Sequence, residues 1–328
     1  MTNLRPLLAL LALFIVTPAQ AEPPPAEQGV YVAVGYGGRR LLSRDGSTWE
    51  ITAEWAENGG DDNNNLMGLA FGKGKFVAVG GGGGSKDGKG GRILVSSDGK
   101  TWKETKTMSF RVNPVLFGNA RFVVGGPDRK LYWSEDGETW QSGAQIDHPG
   151  REWAFWFRVG AFGNGLHLMV GNSGKDQKEH WCAVTKNGEQ IEHFISDLPP
   201  VRDIAFGNGR FVLVGPNGLR LSSADGKTWE HKATEEGVDL GHVVWTDKEF
   251  LATGGGAAYH SKDGEKWEKS PKNIPCGVVW ADDRILIGTT WPGQMWSSTD
   301  GKDWTRGAKM TPNGINKVLY GVPTAKKE

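Results

Sequence analysis

The chain has 328 residues and carries 38 basic and 38 acidic side chains, which gives no formal net charge at neutral pH. This balance provides no electrostatic reason to expect a nucleic acid or an anionic membrane surface as a partner. The length is sufficient for one large all-β domain beside a leader segment.

The N-terminal residues are typical of a secretory signal peptide. Arg5 precedes an apolar run over 7–16, and Ala19-Gln20-Ala21 forms a small-residue cleavage site. The apolar run is too short for a transmembrane helix, so we expect export to the periplasm or the extracellular space without membrane insertion. The expected organisation is a signal peptide over 1–21, a linker over 22–29, the folded domain over 30–321 and a tail over 322–328.

The segment over 204–231 contains four short strand patterns separated by turn signals. Gly207-Asn208-Gly209 ends the first pattern, Pro216-Asn217-Gly218 follows the second, and Asp225-Gly226 separates the third from the fourth. Gly, Asn, Pro and Asp between apolar runs favour antiparallel hairpins. We therefore predict a four-stranded meander and name its strands A, B, C and D.

The junction between strands C and D is repeated along the chain as Ser-x-Asp-Gly-x-x-Trp, which we call the box. Neighbouring copies such as those at Asp225 and Asp263 lie 38 residues apart. A repeat of this length with four strands is typical of a propeller blade. The acidic or amide positions of the seven copies are Asp45, Asp98, Asp136, Asn187, Asp225, Asp263 and Asp300.

The first copy lacks an A strand, and the missing pattern stands at the other end of the chain. The segment over 315–321 matches strand A, with Tyr320 at the aromatic position, and no B pattern follows it. Closing the ring in this way leaves no free sheet edge. We predict an all-β, seven-bladed β-propeller of four-stranded antiparallel blades, in which the C-terminal strand completes blade one.

The box residues have mechanical roles. Asp can accept backbone N–H bonds in a tight turn, Gly supplies a positive φ, and Trp covers the hairpin. The pattern resembles the Asp-box, or BNR repeat, of sialidases, sortilin-type receptors, some xyloglucanases and photosystem II assembly-factor propellers. The resemblance covers nearly all of 30–321 and implies the propeller fold. It leaves hydrolase, receptor and assembly-factor functions open.

Most departures from the 38-residue period fall in D–A and B–C connections, which lie on one face of a propeller. These insertions occur over 55–65, 80–91, 142–156 and 172–180. Insertions confined to one face indicate the binding face. We therefore expect a ligand on the side of the D–A and B–C loops.

The A strands begin at this face, beside the central channel, and several of them begin with polar residues. Such groups converging in a concavity are candidates for a binding site, and an Arg pair on neighbouring blades can hold a carboxylate or sulfate. A solvated channel with mutually paired charges is the alternative. The candidates are Asn113, Arg158, Arg202, Asp203, His242, Asn316 and Lys317.

Aromatic residues flank this predicted opening. Trp153, Phe155, Trp156 and Phe157 precede Arg158, and they either contact a ligand or pack the insertion onto the disc. Trp291 precedes Pro292-Gly293, a turn signal that favours exposure of its side chain. An exposed Trp beside polar groups is suited to stacking on a sugar or a peptide.

The sequence favours a non-catalytic, monomeric binding module for a glycan, peptide or protein partner, with a scaffold or assembly role possible by analogy. We assign no catalytic residue, metal or cofactor. The alternative is a glycoside hydrolase, either sialidase-like or with two carboxylates roughly 5–9 Å apart. A sialidase-like enzyme needs an arginine triad and a Tyr–Glu pair, and Asp203 is the only acid among the predicted channel positions. Cys182 and Cys276 fall in blades four and seven, too far apart for the disulfide limit of roughly 7 Å between Cα atoms.

Overall fold

A computed structural model describes residues 29–55, 64–82, 90–147 and 155–324. The predicted signal peptide, nearly all of the linker, Trp153 and parts of three insertions lie outside these residues. Over the described ranges the chain forms 28 strands, which pair into seven four-stranded antiparallel sheets. The predicted seven-bladed β-propeller is confirmed. None of the described helices is long and apolar enough to span a membrane.

The four strands of each blade follow one another from the central channel outward. Blade one comprises β28 (Ile315–Gly321), β1 (Val30–Gly35), β2 (Arg40–Ser43) and β3 (Glu50–Ala53). Blade two comprises β4 (Leu66–Gly72), β5 (Lys75–Gly81), β6 (Gly91–Ser96) and β7 (Lys103–Met108). Blade three comprises β8 (Val115–Gly118), β9 (Arg121–Gly125), β10 (Lys130–Ser134) and β11 (Gln141–Gln145).

The other four blades have the same order. Blade four comprises β12 (Trp156–Gly163), β13 (Leu166–Ser173), β14 (Glu179–Thr185) and β15 (His193–Leu198). Blade five comprises β16 (Asp203–Gly207), β17 (Arg210–Gly215), β18 (Leu219–Ser223) and β19 (Glu230–Ala233). Blade six comprises β20 (His242–Trp245), β21 (Phe250–Gly254), β22 (Ala257–Ser261) and β23 (Glu268–Lys269). Blade seven comprises β24 (Gly277–Ala281), β25 (Leu286–Thr290), β26 (Gln294–Ser298) and β27 (Thr305–Lys309). Short 3-10 turns lie at Tyr36–Gly38 and Lys175–Gln177.

The two ends of the described chain meet in blade one. Strand β28 pairs antiparallel with β1, and Leu319 lies opposite Val32. The pairing covers the inner edge of β1, which would otherwise present free backbone donors and acceptors to another chain. Closure by the C-terminal strand is therefore confirmed.

The core lies between the blades. The side chains of strand β17 from Phe211 to Val214 are all buried, because neighbouring blades cover both faces of the strand. One apolar cluster joins Leu168 of blade four to Leu213 of blade five. This two-sided burial explains why the B strands are continuous apolar runs rather than alternating ones.

Each box turn is closed by its own polar side chains. In blade five, Asp225 Oδ1 accepts the N–H groups of Lys227 and Thr228, each at 2.8 Å. Ser223 Oγ accepts the Gly226 N–H at 2.8 Å. The Thr228 N–H bond is the main cause that lowers the pKa of Asp225. Gly226 has a φ of 70°, and a Cβ there would approach Leu168 of the preceding blade.

The copy in blade four keeps this turn with a neutral side chain. Asn187 Oδ1 accepts the Glu189 N–H at 3.0 Å, and Thr185 Oγ1 accepts the Gly188 N–H at 2.9 Å. An amide oxygen is thus sufficient to form the turn, although it lacks the charge that strengthens the bond at the Asp positions.

The aromatic residue near the end of each A strand packs against a neighbouring blade. The ring of Phe206 lies against Gly163 of the preceding blade, where an added Cβ would overlap it. The same relation joins Phe162 to Gly118. Gly follows the aromatic residue in most A strands because the next blade's ring occupies the space of a side chain.

The B-strand position opposite the box Ser carries Phe in blades two, three, five and six. The residues at this position in blades four and seven are His167 and Leu286. The imidazole of His167 packs on Phe162 with 4.6 Å between ring centroids, close to the 4.7 Å of Phe117 and Phe122. Because His167 is polar, the sequence did not show that it occupies the buried position that Phe has in other blades.

Candidate ligand-binding site

The two faces of the disc carry different connections. Asn208, in the A–B turn of blade five, donates to the carbonyl of Lys262 in the next box hairpin at 3.0 Å. Asn164 does the same with Ala224 at 2.9 Å. The A–B turns and box hairpins therefore share one side, which we call the box face. The D–A and B–C connections form the other side, which we call the insertion face.

Three of the predicted residues converge at the channel mouth on the insertion face. Lys317 Nζ of blade one lies 3.6 Å from Asp203 Oδ1 of blade five. His242 Nδ1 of blade six lies 4.0 Å from Asp203 Oδ2, which also accepts the Val243 N–H at 3.2 Å. Burial lowers the pKa of His242, and the Lys317 charge adds to this effect while Asp203 opposes it. These charges largely satisfy one another across the channel.

The two predicted asparagines bond to neighbouring blades. The amide nitrogen of Asn316 donates to Asn65 Oδ1 at 2.6 Å and to the Leu66 carbonyl at 2.7 Å. Asn113 is buried and donates to the backbone carbonyl of Arg158. Both side chains therefore fix the start of an A strand, which also positions Arg158.

Arg158 lies in β12 at an interruption of the pairing with β13. Its Nε donates to Asn172 Oδ1 at 3.0 Å, and its Nη2 donates to Gln177 Oε1. The guanidinium also lies 5.4 Å from the ring centroid of Trp156. These neutral partners orient the guanidinium, and a guanidinium fixed in this way is suited to binding an anion.

Arg202 lies in the D–A connection that precedes β16, and its side chain is 58% exposed. Its Nη2 is 3.8 Å from Asp239 Oδ2 in an exposed ion pair. Arg158 and Arg202 line one cavity of about 480 Å³, which we call the basic recess. The lining also includes Asn172, Asp176, Gln177, His180, Pro200, Val201 and Pro216.

The side chain of His180 lies close enough to both arginines for their charges to act on it. Burial lowers the pKa of this imidazole, and the charges of Arg202 and Arg158 lower it further. Both arginines therefore act on the same point in the recess. Arg158 and Arg202, which the sequence places on neighbouring blades, therefore line one cavity.

A second cavity of about 230 Å³ adjoins Arg158 on the side of blade three, and we call it the aromatic groove. The rings of Phe110 and Trp156 lie 4.9 Å apart, and both are half-buried. Arg111 donates to the Gly81 carbonyl at 2.8 Å, and Asp128 also lines the groove. The groove is further lined by Met67, Ser109, Asn113, Gly126, Pro127, Phe155 and Phe157.

The aromatic residues before Arg158 divide between the two predicted roles. Phe155 stacks on Trp181 with ring centroids 4.2 Å apart, and Phe157 meets the same indole edge-on. Both phenyl rings are buried against Trp181 of blade four, so they contribute to packing. Trp156 is half-buried and lines the aromatic groove.

Trp291 lies apart from both cavities and is 64% exposed, as its turn predicts. Its ring meets Tyr36 edge-on at 5.2 Å between centroids, and Gly314 lies beside its outer edge. The indole is therefore a fixed aromatic surface between blades seven and one. The structure does not bring it together with the arginines.

Several residues of the two cavities were not singled out in the sequence as ligand contacts. His180, Asn172 and Gln177 lie in or beside a B–C insertion, whose length indicated the face but not the inward-pointing residues. Phe110 precedes the first strand of blade three, and its proximity to Trp156 depends on the packing of blade three against blade four.

A Tyr–Glu pair is present, but Tyr259 lies in β22, the third strand of blade six, and neither residue lines the basic recess or the aromatic groove. Tyr259 Oη donates to Glu235 Oε2 at 2.6 Å, and the Tyr259 side chain is buried. Burial raises the pKa of Tyr259, and the bond to Glu235 raises it further. A tyrosine that acts as a nucleophile needs a lowered pKa. Among the described side chains, no group of three His, Cys, Asp or Glu residues is placed to hold a metal ion.

The two cysteines are also outside the cavities. Cys182 in β14 and Cys276 before β24 are buried free thiols in different blades. Burial raises the pKa of Cys276 to about 12, so its reactive thiolate form is disfavoured at neutral pH.

The chain is thus a seven-bladed propeller with a basic recess and an aromatic groove on its insertion face. No protein-family model matches the chain, and no curated protein is detectably similar in sequence. Solved structures share the fold. YCF48 bound to a D1 peptide has a TM-score of 0.57 and 17% identity, covering 92% of this chain and 90% of that one.

Two other solved structures show the same architecture. YCF48 from Cyanidioschyzon merolae has a TM-score of 0.53 and 15% identity, covering 90% of this chain and 96% of its own. The WD40 β-propeller domain of Doa1 has a TM-score of 0.53 and 13% identity, covering 85% of this chain and 88% of its own. At these identities the likeness extends to the fold alone.

Proposed function

We propose that this chain is an exported, non-catalytic propeller that binds an extended peptide segment of a partner protein on its insertion face. In this proposal, an acidic group of the peptide occupies the basic recess and an apolar side chain occupies the aromatic groove. The observation that carries the proposal is the position of Arg158, which lines both cavities. A single extended segment can therefore reach both of them.

The chemistry of the two cavities supports a peptide over a neutral sugar. Guanidinium groups bind carboxylates through parallel, charge-assisted hydrogen bonds, and acidic peptide groups supply carboxylates. The half-buried rings of Phe110 and Trp156 offer apolar area for a side chain. The peptide bound to the structurally similar YCF48 supports the same class of ligand. A role as a scaffold or assembly factor would follow from holding such a segment.

The first experiment is an array of peptides and glycans incubated with the mature chain. The peptides vary independently in the number of carboxylates and in the number of aromatic or aliphatic side chains. We expect retention of peptides that combine an acidic residue with a neighbouring apolar residue. Retention of uncharged glycans alone would contradict the proposal and would direct attention to Trp291.

The second experiment changes the recess itself. Arg158→Ala combined with Arg202→Ala should weaken binding of the best acidic peptide about 100-fold or more, because each charged hydrogen bond contributes about 1.5–3 kcal/mol. Fluorescence anisotropy measures the affinity, and calorimetry should show a nearly unchanged melting temperature.

The matched control removes two positive charges from the box face. Arg44 and Lys227 are both exposed in box hairpins, so Arg44→Ala with Lys227→Ala produces the same change in net charge. The control should bind as the unaltered chain does. Equal weakening by both double variants would mean that only net charge matters, and unchanged binding by the recess variant would exclude this site.

A further inference from the structure

The basic recess contains a third basic side chain, His180, which has no role in the proposed function. His180 lies near the start of β14, opposite Asn172 of β13 and Leu198 of β15. Asn172 is the residue that accepts the Arg158 Nε–H bond. His180 is half-buried and lines the same cavity as both arginines. An anion that reaches the guanidinium groups therefore also reaches this imidazole.

The other charged groups around the recess are mostly exposed or paired at its rim. Asp239 faces Arg202 at 3.8 Å, and Asp176 lies 3.9 Å from Lys178. Glu179, next to His180 in the chain, bonds to the hydroxyl of Ser173 at 3.1 Å. Within the described residues, none of these carboxylates is paired with His180. The imidazole thus faces the positive charges of Arg158 and Arg202, and the described residues give it no carboxylate partner of its own.

We infer that His180 is the third basic contact of an anionic ligand in the recess, and that the ligand binds together with a proton on this imidazole. The inference rests on the proposed function in that the recess receives the acidic group of the peptide. In the free chain, burial and the two arginine charges lower the pKa of His180. A bound anion offsets those charges and supplies an acceptor, so it favours the protonated form.

The direction of the pH dependence follows from these two states. The pKa of His180 is lower in the free chain than in the complex, so binding takes up a proton at pH values between the two. Affinity should be lowest above the pKa of the complex, rise as the pH falls, and level off below the pKa of the free chain. An opposite charge nearby raises a pKa by about one unit or more, which corresponds to about a tenfold gain in affinity.

The recess can be tested without knowing the natural ligand, with inorganic sulfate as the probe. Sulfate stays doubly charged between about pH 5 and pH 8, so any proton uptake belongs to the protein. Nuclear magnetic resonance of the imidazole groups, with His180→Gln to identify the signal, gives the pKa of His180 with and without sulfate. Sodium chloride at equal ionic strength is the reference.

We expect saturating sulfate to raise the pKa of His180 by about one unit relative to chloride. The imidazole chemical shifts of the exposed His193 in β15 should be the same in both salts, because this residue lies on the outer strand of the blade. A pKa of His180 that is the same in sulfate and chloride would overturn the inference, as would an equal change in the chemical shifts of His193 and His180.

The peptide measurement separates this inference from the proposed function. The best acidic peptide of the array should bind about tenfold more tightly at about pH 5.5 than at about pH 8. His180→Gln should remove this ratio, whereas His242→Gln, at the channel mouth, should preserve it. A peptide that binds equally at both pH values supports the proposed function and overturns the inference. If sulfate raises the pKa of His180 but no peptide of the array binds, the inference is supported and the proposed function is contradicted.

Discussion

His167 shows how a single residue can set the pH dependence of the fold. It occupies the B-strand position at which blades two, three, five and six carry Phe, and it is fully buried. Its Nδ1 lies 3.1 Å from the Lys186 carbonyl. Burial lowers its pKa to about 4, so the folded chain excludes a proton that the unfolded chain binds readily.

His167→Phe is therefore expected to stabilise the fold more in acid than at neutral pH. As the pH falls below about 6.5, the unfolded chain gains a proton at His167 while the folded chain does not, and the loss of stability ends near pH 4. The variant's advantage in the free energy of unfolding should grow by about 2–3 kcal/mol between about pH 7.5 and pH 4.5. Urea unfolding at both pH values measures it. A difference between the two proteins that does not change with pH would contradict this account.

The site residues were only partly predictable at this scale. Arg158 and Arg202 could be placed on neighbouring blades because each lies four residues before the aromatic anchor of its blade, Phe162 or Phe206. His180 could not, since the side chains that point inward from a long B–C connection depend on how that connection folds. Asp203, His242 and Lys317 lie together at the channel mouth, but the sequence alone did not show that their charges would pair across the channel.

At the scale of elements, contact between an aromatic residue and a glycine sets the spacing of the blades. Phe206 of β16 lies on Gly163 of β12, and Phe71 of β4 lies on Gly321 of β28 in the same way. The contact requires a residue without a side chain, because the ring lies where a Cβ would be. The sequence showed the Phe-Gly pattern as a strand ending, whereas the reason for the glycine required the neighbouring blade.

Gly163→Ala should consequently weaken the interface between blades four and five. The added methyl group overlaps the Phe206 ring, and overpacking of this kind costs about 1–3 kcal/mol. Thermal unfolding measures the loss. Gly241→Ala is the matched control, because no heavy atom lies within 4 Å of the position its Cβ would take. Comparable melting temperatures for both variants would mean that the aromatic contact does not hold the blades together.

Strand positions followed closely from the sequence because the turn signals recur at each blade. The box hairpins are an example, since Asp225 and Ser223 satisfy the turn with their own side chains and need no distant partner. The register of blade four was less accessible, because the polar His167 replaces the aromatic marker and Ile191 replaces the box Trp. The sequence thus predicts a turn well where the side chains of the turn itself form its hydrogen bonds.

At the scale of the molecule, the ring is held closed by one strand from the far end of the chain. All six residues of β1 are buried, and β28 forms the inner neighbour of this strand. Pairing between residues so distant in sequence was predictable because the first repeat lacked one strand and the last segment supplied it.

Truncation after Gly314 should therefore disrupt the whole fold. Removal of β28 exposes the inner edge of β1 and the apolar surfaces of blades one and two, which favours aggregation. We expect loss of a cooperative thermal transition by circular dichroism. Truncation after Gly321 retains β28 and should melt close to the full-length chain. A cooperative transition at the original temperature without β28 would show that closure does not stabilise the disc.

The identity of the ligand could not be predicted from the sequence, because the recess and the groove are formed by connections from different blades. Their common residue, Arg158, makes the account directly testable by mapping where a peptide binds. Amide chemical shifts of the isotopically labelled chain should be recorded with the best acidic peptide of the array. The largest changes should fall within 109–113, 155–158, 172–180 and 200–202. Changes confined to the box hairpins, or to the surroundings of Trp291, would contradict the assignment of the working site to this part of the insertion face.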